Sequence, residues 1–118
     1  MAGFERGDVV KVPFPYTDRS TRQSRPALVV SARAALERHG LLWVVMITSA
    51  ENRGWPGDIA IGGLVLAGLP VPSVVRTAKI ATIEAADATR LGRISPALLR
   101  KVAAELAAVL GLDEKAAP

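Results

Sequence analysis

Runs of apolar residues, some alternating with polar residues and some continuous, predict a series of short β-strands along most of the chain. Residues 7–12 alternate between apolar and polar positions, as in a strand with one buried face. Residues 41–48 are apolar on both faces, which indicates a strand buried on both sides. Residues 73–84 are rich in β-branched side chains and long enough for one bent strand or two short ones. Further strands are predicted at residues 27–30, 58–61 and 90–94.

Capping residues and helical periodicity predict two helices. A short helix is expected between Ser31, as its cap, and Gly40, where it ends. The clearest helix begins at Ser95 and Pro96, because a hydroxyl can cap the first turn and a proline presets its backbone angle. This helix is expected to pack an apolar stripe on the strands. The stripe consists of Leu98, Leu99, Val102, Leu106, Val109 and Leu110.

Length and composition favour one compact unit. The chain has 118 residues, of which 50% are hydrophobic and 22% charged, so it can bury a core of its own. No repeat or linker divides it, and we therefore predict a single domain over residues 1–118. The predicted fold class is mainly β with a C-terminal helix, as a small and strongly bent barrel or sheet with the helix laid over it.

Several kinds of chemistry are excluded by the residues that the chain lacks. It has no cysteine and one histidine, His39, which removes thiolate nucleophiles, cysteine zinc sites and paired-imidazole RNA cleavage. No metal site or cofactor is expected, and no phosphate-binding glycine motif is present. No apolar run is long enough to cross a bilayer, and the N-terminus does not resemble a secretion signal, so a cytoplasmic location is the default expectation.

The charge of the chain favours a polyanionic partner. The formal net charge is +4, and three arginines crowd into the polar stretch over residues 14–25, which we interpret as an exposed loop. Two of them, Arg19 and Arg22, are candidate RNA contacts rather than catalytic groups. The third, Arg25, precedes a buried strand.

Arg25 and the pair Thr48 and Ser49 are the candidates for chemistry on a phosphate. If the two strands that carry them lie side by side, the start of one meets the end of the other. A guanidinium offers a planar fork of donors to phosphate oxygens, and a hydroxyl adds a further hydrogen bond. This combination suits a phosphodiester.

Five short motifs, in order and along nearly the whole chain, resemble those of the MazF/PemK toxins. The motifs are Gly7-Asp8-Val9-Val10, Pro13-Phe14-Pro15, Arg25-Pro26-Ala27-Leu28-Val29-Val30-Ser31, Ile47-Thr48-Ser49 and Ser73-Val74-Val75-Arg76. The resemblance implies a small SH3-like barrel of the CcdB/PemK type, a homodimer with an RNA groove along the subunit boundary, and a partner antitoxin. It also implies metal-independent, sequence-selective cleavage of single-stranded RNA to a 2′,3′-cyclic phosphate and a 5′-hydroxyl.

The resemblance assigns roles to individual residues. Arg25 would stabilise the crowded phosphate and donate a proton to the leaving oxygen, and Thr48 would bind or help to activate the reacting group. Arg76 matches an arginine that acts as the acid or as a phosphate contact in some members. Ser49 and Lys79 are expected to contact RNA.

One departure from the family pattern keeps a second function open. Some members carry a candidate base, an aspartate, two residues after the arginine that Arg76 matches, whereas this chain has Ala78. That version of the mechanism cannot be transferred. The alternative is a non-catalytic barrel of the same fold that poisons gyrase or only binds RNA.

Overall fold

A computed structural model describes residues 3–14, 23–52 and 54–112 of the chain. In these ranges the chain forms six strands, three α-helices and two short 3-10 turns, at Ala50–Asn52 and Ala85–Asp87. The strands are β1 (Asp8–Phe14), β2 (Gln23–Val29), β3 (Leu41–Ser49), β4 (Ile59–Ile61), β5 (Ser73–Glu84) and β6 (Thr89–Arg93). The helices are α1 (Arg33–His39), α2 (Leu64–Ala67) and α3 (Pro96–Val109).

The strands pair antiparallel in one curled sheet, in the order β4, β5, β3, β2, β1, β6. The sheet is a half-barrel, with β4 and β6 at its two edges and α3 following the last strand. The predicted fold class, mainly β with a C-terminal helix, is therefore confirmed. The predicted two-sided burial of the central strand is also largely confirmed, because Leu42 and residues 44–48 of β3 are buried.

Each face of the sheet carries its own apolar core, because successive side chains of a strand alternate between the two faces. On the first face, Val12 of β1, Ala27 of β2 and Met46 of β3 pack together. We call this the concave face. On the opposite face, Val45 and Ile47 pack with residues of α3, and we call it the helix face.

An irregularity in the pairing of β5 with β3 bends this long strand. Val45 of β3 lies opposite Ile80, but the next residue, Met46, lies opposite Arg76. Residues 77–79 of β5 therefore have no partner on β3 and form a bulge, which bends a strand. The alternative of two short strands is not needed, since a single bent strand spans the predicted range.

The C-terminal helix α3 begins as predicted. Ser95 is its N-cap and accepts a hydrogen bond from the backbone N–H of Leu98 at 3.2 Å. Most of the predicted stripe packs on the helix face, whereas Val109 and Leu110 at its end are exposed. No helix in the described ranges is both long and apolar enough to cross a membrane.

Candidate active site

Arg25 and Thr48 lie on the concave face at the same end of neighbouring strands. The pairing of β2 with β3 ends at Ala27 opposite Met46. Arg25 is two residues before Ala27 and Thr48 two residues after Met46, so both are the next side chains on that face beyond the last pair. Pro26 has no N–H to offer β3 at this point, which fits the end of the ladder.

Burial distinguishes the two side chains. Thr48 is 7% exposed, whereas Arg25 is half-buried. Arg25 also pairs through its backbone with Val12 of β1, so it lies inside β2 rather than in the loop where it was predicted. A residue held in a strand is positioned more tightly than one in a loop, which favours a binding or catalytic task that needs fixed geometry.

Arg76 lies on the same face, one position further along the sheet. Thr48 is opposite Val74, and Arg76 is two residues beyond Val74 on β5. Such diagonal neighbours in a sheet are separated by about 7–8 Å between Cα atoms. Arg76, Thr48 and Arg25 thus occupy three adjacent strands at one end of the concave face.

The guanidinium of Arg76 is held by a buried carboxylate. Its Nε donates to Asp58 Oδ1 at 3.2 Å and its Nη2 donates to Asp58 Oδ2 at 2.9 Å. The two side chains are each only 8% exposed. This forked ion pair ties the stretch that precedes β4 to β5. It also occupies much of the donor capacity that a phosphate would need.

Asn52 connects this ion pair to Thr48. Its backbone oxygen accepts a hydrogen bond from Arg76 Nη2 at 2.7 Å, and its side-chain Nδ2 donates to Thr48 Oγ1 at 3.1 Å. A continuous chain of hydrogen bonds therefore runs from Asp58 through Arg76 and Asn52 to the hydroxyl of Thr48.

Trp55 covers the ion pair and brings Lys79 to the site. The Arg76 guanidinium carbon lies 4.4 Å from the centre of the Trp55 ring, and Lys79 Nζ lies 5.6 Å from it. Cations at these distances are attracted to an indole face. The ring is still 44% exposed, so packing over Arg76 leaves part of it open to solvent.

The other predicted RNA contacts are not gathered at this point. Ser49 follows Thr48 in β3 and therefore lies on the helix face, where it is opposite Ser73. Its Oγ accepts from the backbone N–H of Glu51 at 3.2 Å. Arg19 and Arg22 lie outside the described residues.

Asn52 and Asp58 belong to the site, although the sequence does not single them out. They precede β4 by seven residues and by one residue in the chain, in a stretch whose composition indicates only a loop. The one feature of the sequence that could have indicated Asp58 is the position of its carboxylate directly before the short strand β4. Pairing across 18 residues is not encoded in any local spacing.

The ion pair changes the acidity of Asp58. The hydrogen bonds that Arg76 donates lower the pKa of this carboxyl below its usual value of 3.8, with a further contribution from the charge of Arg76. Burial acts in the opposite direction but does not outweigh them. Asp58 is therefore ionised at neutral pH and is a weaker base than an ordinary aspartate.

The lowered pKa predicts a pH-dependent contribution to stability. The folded state holds the Asp58 proton less tightly than the unfolded state, so the contribution is complete above the unfolded-state pKa and is lost as the pH falls through the folded-state value. We expect wild type to exceed Asp58→Asn in free energy of unfolding by a constant amount from about pH 7 to about pH 5, and by less below about pH 4. Urea unfolding at a series of pH values measures this difference, and a gap that stays constant down to about pH 2 would contradict the expectation.

An apolar groove lies on the helix face of the sheet. It has a volume of about 500 Å³ and is lined by apolar side chains that include Trp43, Ile80 and Leu106. Ala78, in the bulge of β5, also lines it. The groove has little to offer a phosphate, and the candidate chemistry stays with the concave face. In the described ranges, no three His, Asp or Glu side chains come together as metal ligands.

The fold and the sequence both match a known family of toxins. Residues 5–110 match the family described as the PemK-like, MazF-like toxins of type II toxin-antitoxin systems, and this chain belongs to that family. A search of curated protein sequences finds no significant match.

Solved structures of MazF toxins and related endoribonucleases share this fold. An endoribonuclease from a mycobacterial species, in complex with its cognate antitoxin, is 26% identical, with 95% of this chain and 97% of that chain covered and a TM-score of 0.72. MazF from Deinococcus radiodurans is 24% identical, with coverage of 94% and 99% and a TM-score of 0.77. A MazE-MazF complex from the same organism is 23% identical, with coverage of 96% and 100% and a TM-score of 0.74.

Proposed function

We propose that this chain is a toxin that cleaves single-stranded RNA without a metal ion and that a cognate antitoxin neutralises it. The observation that carries the proposal is the placement of Arg25 and Thr48 as neighbours on one face, beyond the last pair of β2 with β3. Membership of the toxin family supports it, as does the likeness to an endoribonuclease that was solved with its antitoxin.

In the proposed reaction, a ribose 2′-oxygen attacks the adjacent phosphorus while the bond from phosphorus to the following 5′-oxygen breaks. The products are a 2′,3′-cyclic phosphate and a 5′-hydroxyl. The guanidinium of Arg25 donates to the non-bridging oxygens, whose negative charge grows in the transition state, and the hydroxyl of Thr48 adds a further donor. The leaving 5′-oxygen takes up a proton. The family resemblance implies that Arg25 donates it.

Neither Arg76 nor Asp58 acts as the general base in this proposal. Both oxygens of Asp58 accept hydrogen bonds from Arg76, and the lowered pKa makes the carboxylate a poor proton acceptor. We therefore assign the 2′-hydroxyl proton to water. Arg76 was predicted to be catalytic; in this proposal its charge is balanced by Asp58, and its role becomes the support of Asn52.

The remaining contacts extend the proposal to the rest of the RNA and to partner chains. Lys79 lies 5.6 Å from the centre of the Trp55 ring and, in this proposal, supplies positive charge along the path of the RNA together with Arg19 and Arg22. Ser49 lies on the helix face, so an RNA contact there would be separate from this path. We assign the homodimer contact to the apolar groove on the helix face, where Trp43 is 55% exposed and Ile80 is 54% exposed. This contact lies on the face opposite the candidate site, so it differs from the RNA groove along the subunit boundary that the family resemblance implies. Burial of such side chains against a second subunit is favourable.

RNA cleavage in the presence of a chelator tests the proposal. We expect the purified protein to cut single-stranded RNA at an unchanged rate in excess EDTA, because the site relies on a guanidinium and a hydroxyl rather than a metal ion. The fragments should end in a 2′,3′-cyclic phosphate and a 5′-hydroxyl, which mass spectrometry of the products identifies.

A gyrase supercoiling assay, run alongside the RNA-cleavage assay, distinguishes the nuclease from the alternative, a non-catalytic barrel of the same fold. RNA cleavage without an effect on gyrase supports the nuclease. Gyrase inhibition without RNA cleavage would instead support a barrel that acts only by binding, and the loss of cutting in EDTA would show that the metal-free mechanism is wrong.

A further inference from the structure

The hydroxyl of Thr48 is bonded in one particular direction. Its Oγ1 accepts a hydrogen bond from Asn52 Nδ2 at 3.1 Å. A threonine hydroxyl has one hydrogen to donate and two lone pairs with which to accept, whereas an amide nitrogen only donates. The bond to Asn52 therefore uses a lone pair of Thr48 and leaves its hydrogen available for another acceptor.

Asn52 itself is fixed by the buried ion pair. Its backbone oxygen accepts from Arg76 Nη2 at 2.7 Å, and the guanidinium of Arg76 is held by Asp58 and lies against the Trp55 ring. Asn52 is exposed, but its backbone is held by the hydrogen bond from Arg76. A donor carried on a clamped backbone keeps its direction at little cost in entropy.

We propose that Asn52 is a positioning residue that sets the polarity of the Thr48 hydroxyl, so that its hydrogen points to a non-bridging phosphate oxygen. The proposal rests on the proposed function, because it names the phosphate of the RNA as the acceptor. The Asp58 and Arg76 pair acts on the reaction through Asn52.

The chemistry of the phosphate requires this polarity. A phosphodiester presents only acceptors to the protein, so a threonine that offered a lone pair would repel it. Charge on the non-bridging oxygens grows in the transition state, and a hydrogen bond directed at them strengthens at that moment. The orientation of one hydroxyl thus affects kcat more than KM.

Two substitutions at Asn52 test the polarity. Asn52→Ala removes the donor, and Asn52→Asp has the same shape but offers a carboxylate that accepts the Thr48 hydrogen. We expect Asn52→Ala to lower kcat for a short RNA by about 10- to 100-fold with little change in KM, and Asn52→Asp to lower it further. Glu51→Ala is the matched control, because Glu51 is exposed in the same 3-10 turn.

The Thr48→Val background distinguishes positioning from general damage. If Asn52 acts through Thr48, Asn52→Ala has almost no further effect once the hydroxyl is gone, so the two substitutions are strongly non-additive. Equal losses from Asn52→Ala in both backgrounds, or an Asn52→Asp protein as active as wild type, would overturn the proposal. Should Asn52→Ala fail to fold, as judged by its urea midpoint, the isosteric Asn52→Asp carries the comparison.

The same assay separates failure of this inference from failure of the proposed function. If wild type and Glu51→Ala cut RNA but the losses at Asn52 and Thr48 are additive, only the positioning role falls. If neither wild type nor Glu51→Ala cuts any RNA, both proposals fall together.

Discussion

Arg25→Ala is expected to reduce the rate of RNA cleavage by about 100- to 1,000-fold, which is the usual loss when one donor to a transition-state oxyanion is removed. Arg25 is half-buried in β2 on the same face as Thr48. No other residue of β2 carries a positive charge, so no side chain of this strand can replace its fork of donors. Initial rates on a fluorogenic single-stranded RNA, measured in EDTA, give the size of the loss. The rate of Arg25→Lys should lie between those of wild type and Arg25→Ala, because lysine keeps the positive charge but lacks the fork of donors.

Arg100→Ala provides the control for the change in net charge. Arg100 is exposed on α3, which packs on the helix face of the sheet, so its removal leaves the candidate site untouched. We expect its rate to stay within about twofold of wild type, because a distant exposed charge is largely screened. Equal losses for Arg25→Ala and Arg100→Ala would point to general electrostatic attraction, and a fully active Arg25→Ala would remove Arg25 from the mechanism.

The second large effect is expected on stability. Asp58→Leu alone leaves the charge of Arg76 buried without its carboxylate, and breaking a buried pair in this way costs about 3–5 kcal/mol of the free energy of unfolding. Arg76→Met alone should cost a similar amount. The double variant should recover most of the loss, because two apolar side chains replace two buried charges. Urea unfolding curves of the four proteins form a double-mutant cycle that measures the coupling.

An exposed ion pair of the same chain is the reference for this cycle. Arg33 and Glu5 lie 2.9 Å apart, but their side chains are 53% and 65% exposed. Glu5→Gln is therefore expected to change the free energy of unfolding by less than about 1 kcal/mol. If Asp58→Leu costs no more than Glu5→Gln, the pair is not the clamp described here.

Much of the fold is predictable from the sequence because the decisive signals are local. The long strand β5 occupies the predicted residues, and Ser95 with Pro96 marks the start of α3 as its side chain and ring require. Gly40 ends α1 with a positive φ of 70°, a backbone conformation that suits glycine. Strand period, capping and glycine conformation act within a few residues, and a single sequence carries them.

The errors in the fold fall where tertiary contacts outweigh local preference. The stretch before Ala27 is polar and indicates a loop, yet β2 begins at Gln23 because its backbone pairs with β1. The helix α2 was not predicted; it is four residues long and has no side-chain cap to announce it. Ser31 does not cap α1, since Ala32 holds that position and the Ser31 hydroxyl accepts from the backbone of Trp43.

In the candidate site, too, some features follow from local sequence signals and others depend on tertiary contacts. Arg25 lies two residues before the last pair of β2 with β3 and Thr48 two residues after it, so a correct strand order suffices to place them on the same face at the same end of the two strands. The partnership of Arg76 with Asp58, and the link through Asn52, depend on how the stretch before β4 folds back over the sheet. No periodicity or spacing describes that path, and these contacts emerge only in three dimensions.

The bulge in β5 limits what can be grafted into this protein. Residues 77–79 have no partner on β3, so the strand loses its regular alternation there, and Ala78 faces the apolar groove with Trp43 rather than the end of the sheet that carries Thr48. An Ala78→Asp substitution would place its carboxylate at the apolar groove and not at the guanidinium of Arg76. Placing a carboxylate beside Arg76 from this position would therefore require a rebuilt strand backbone, not the exchange of one side chain.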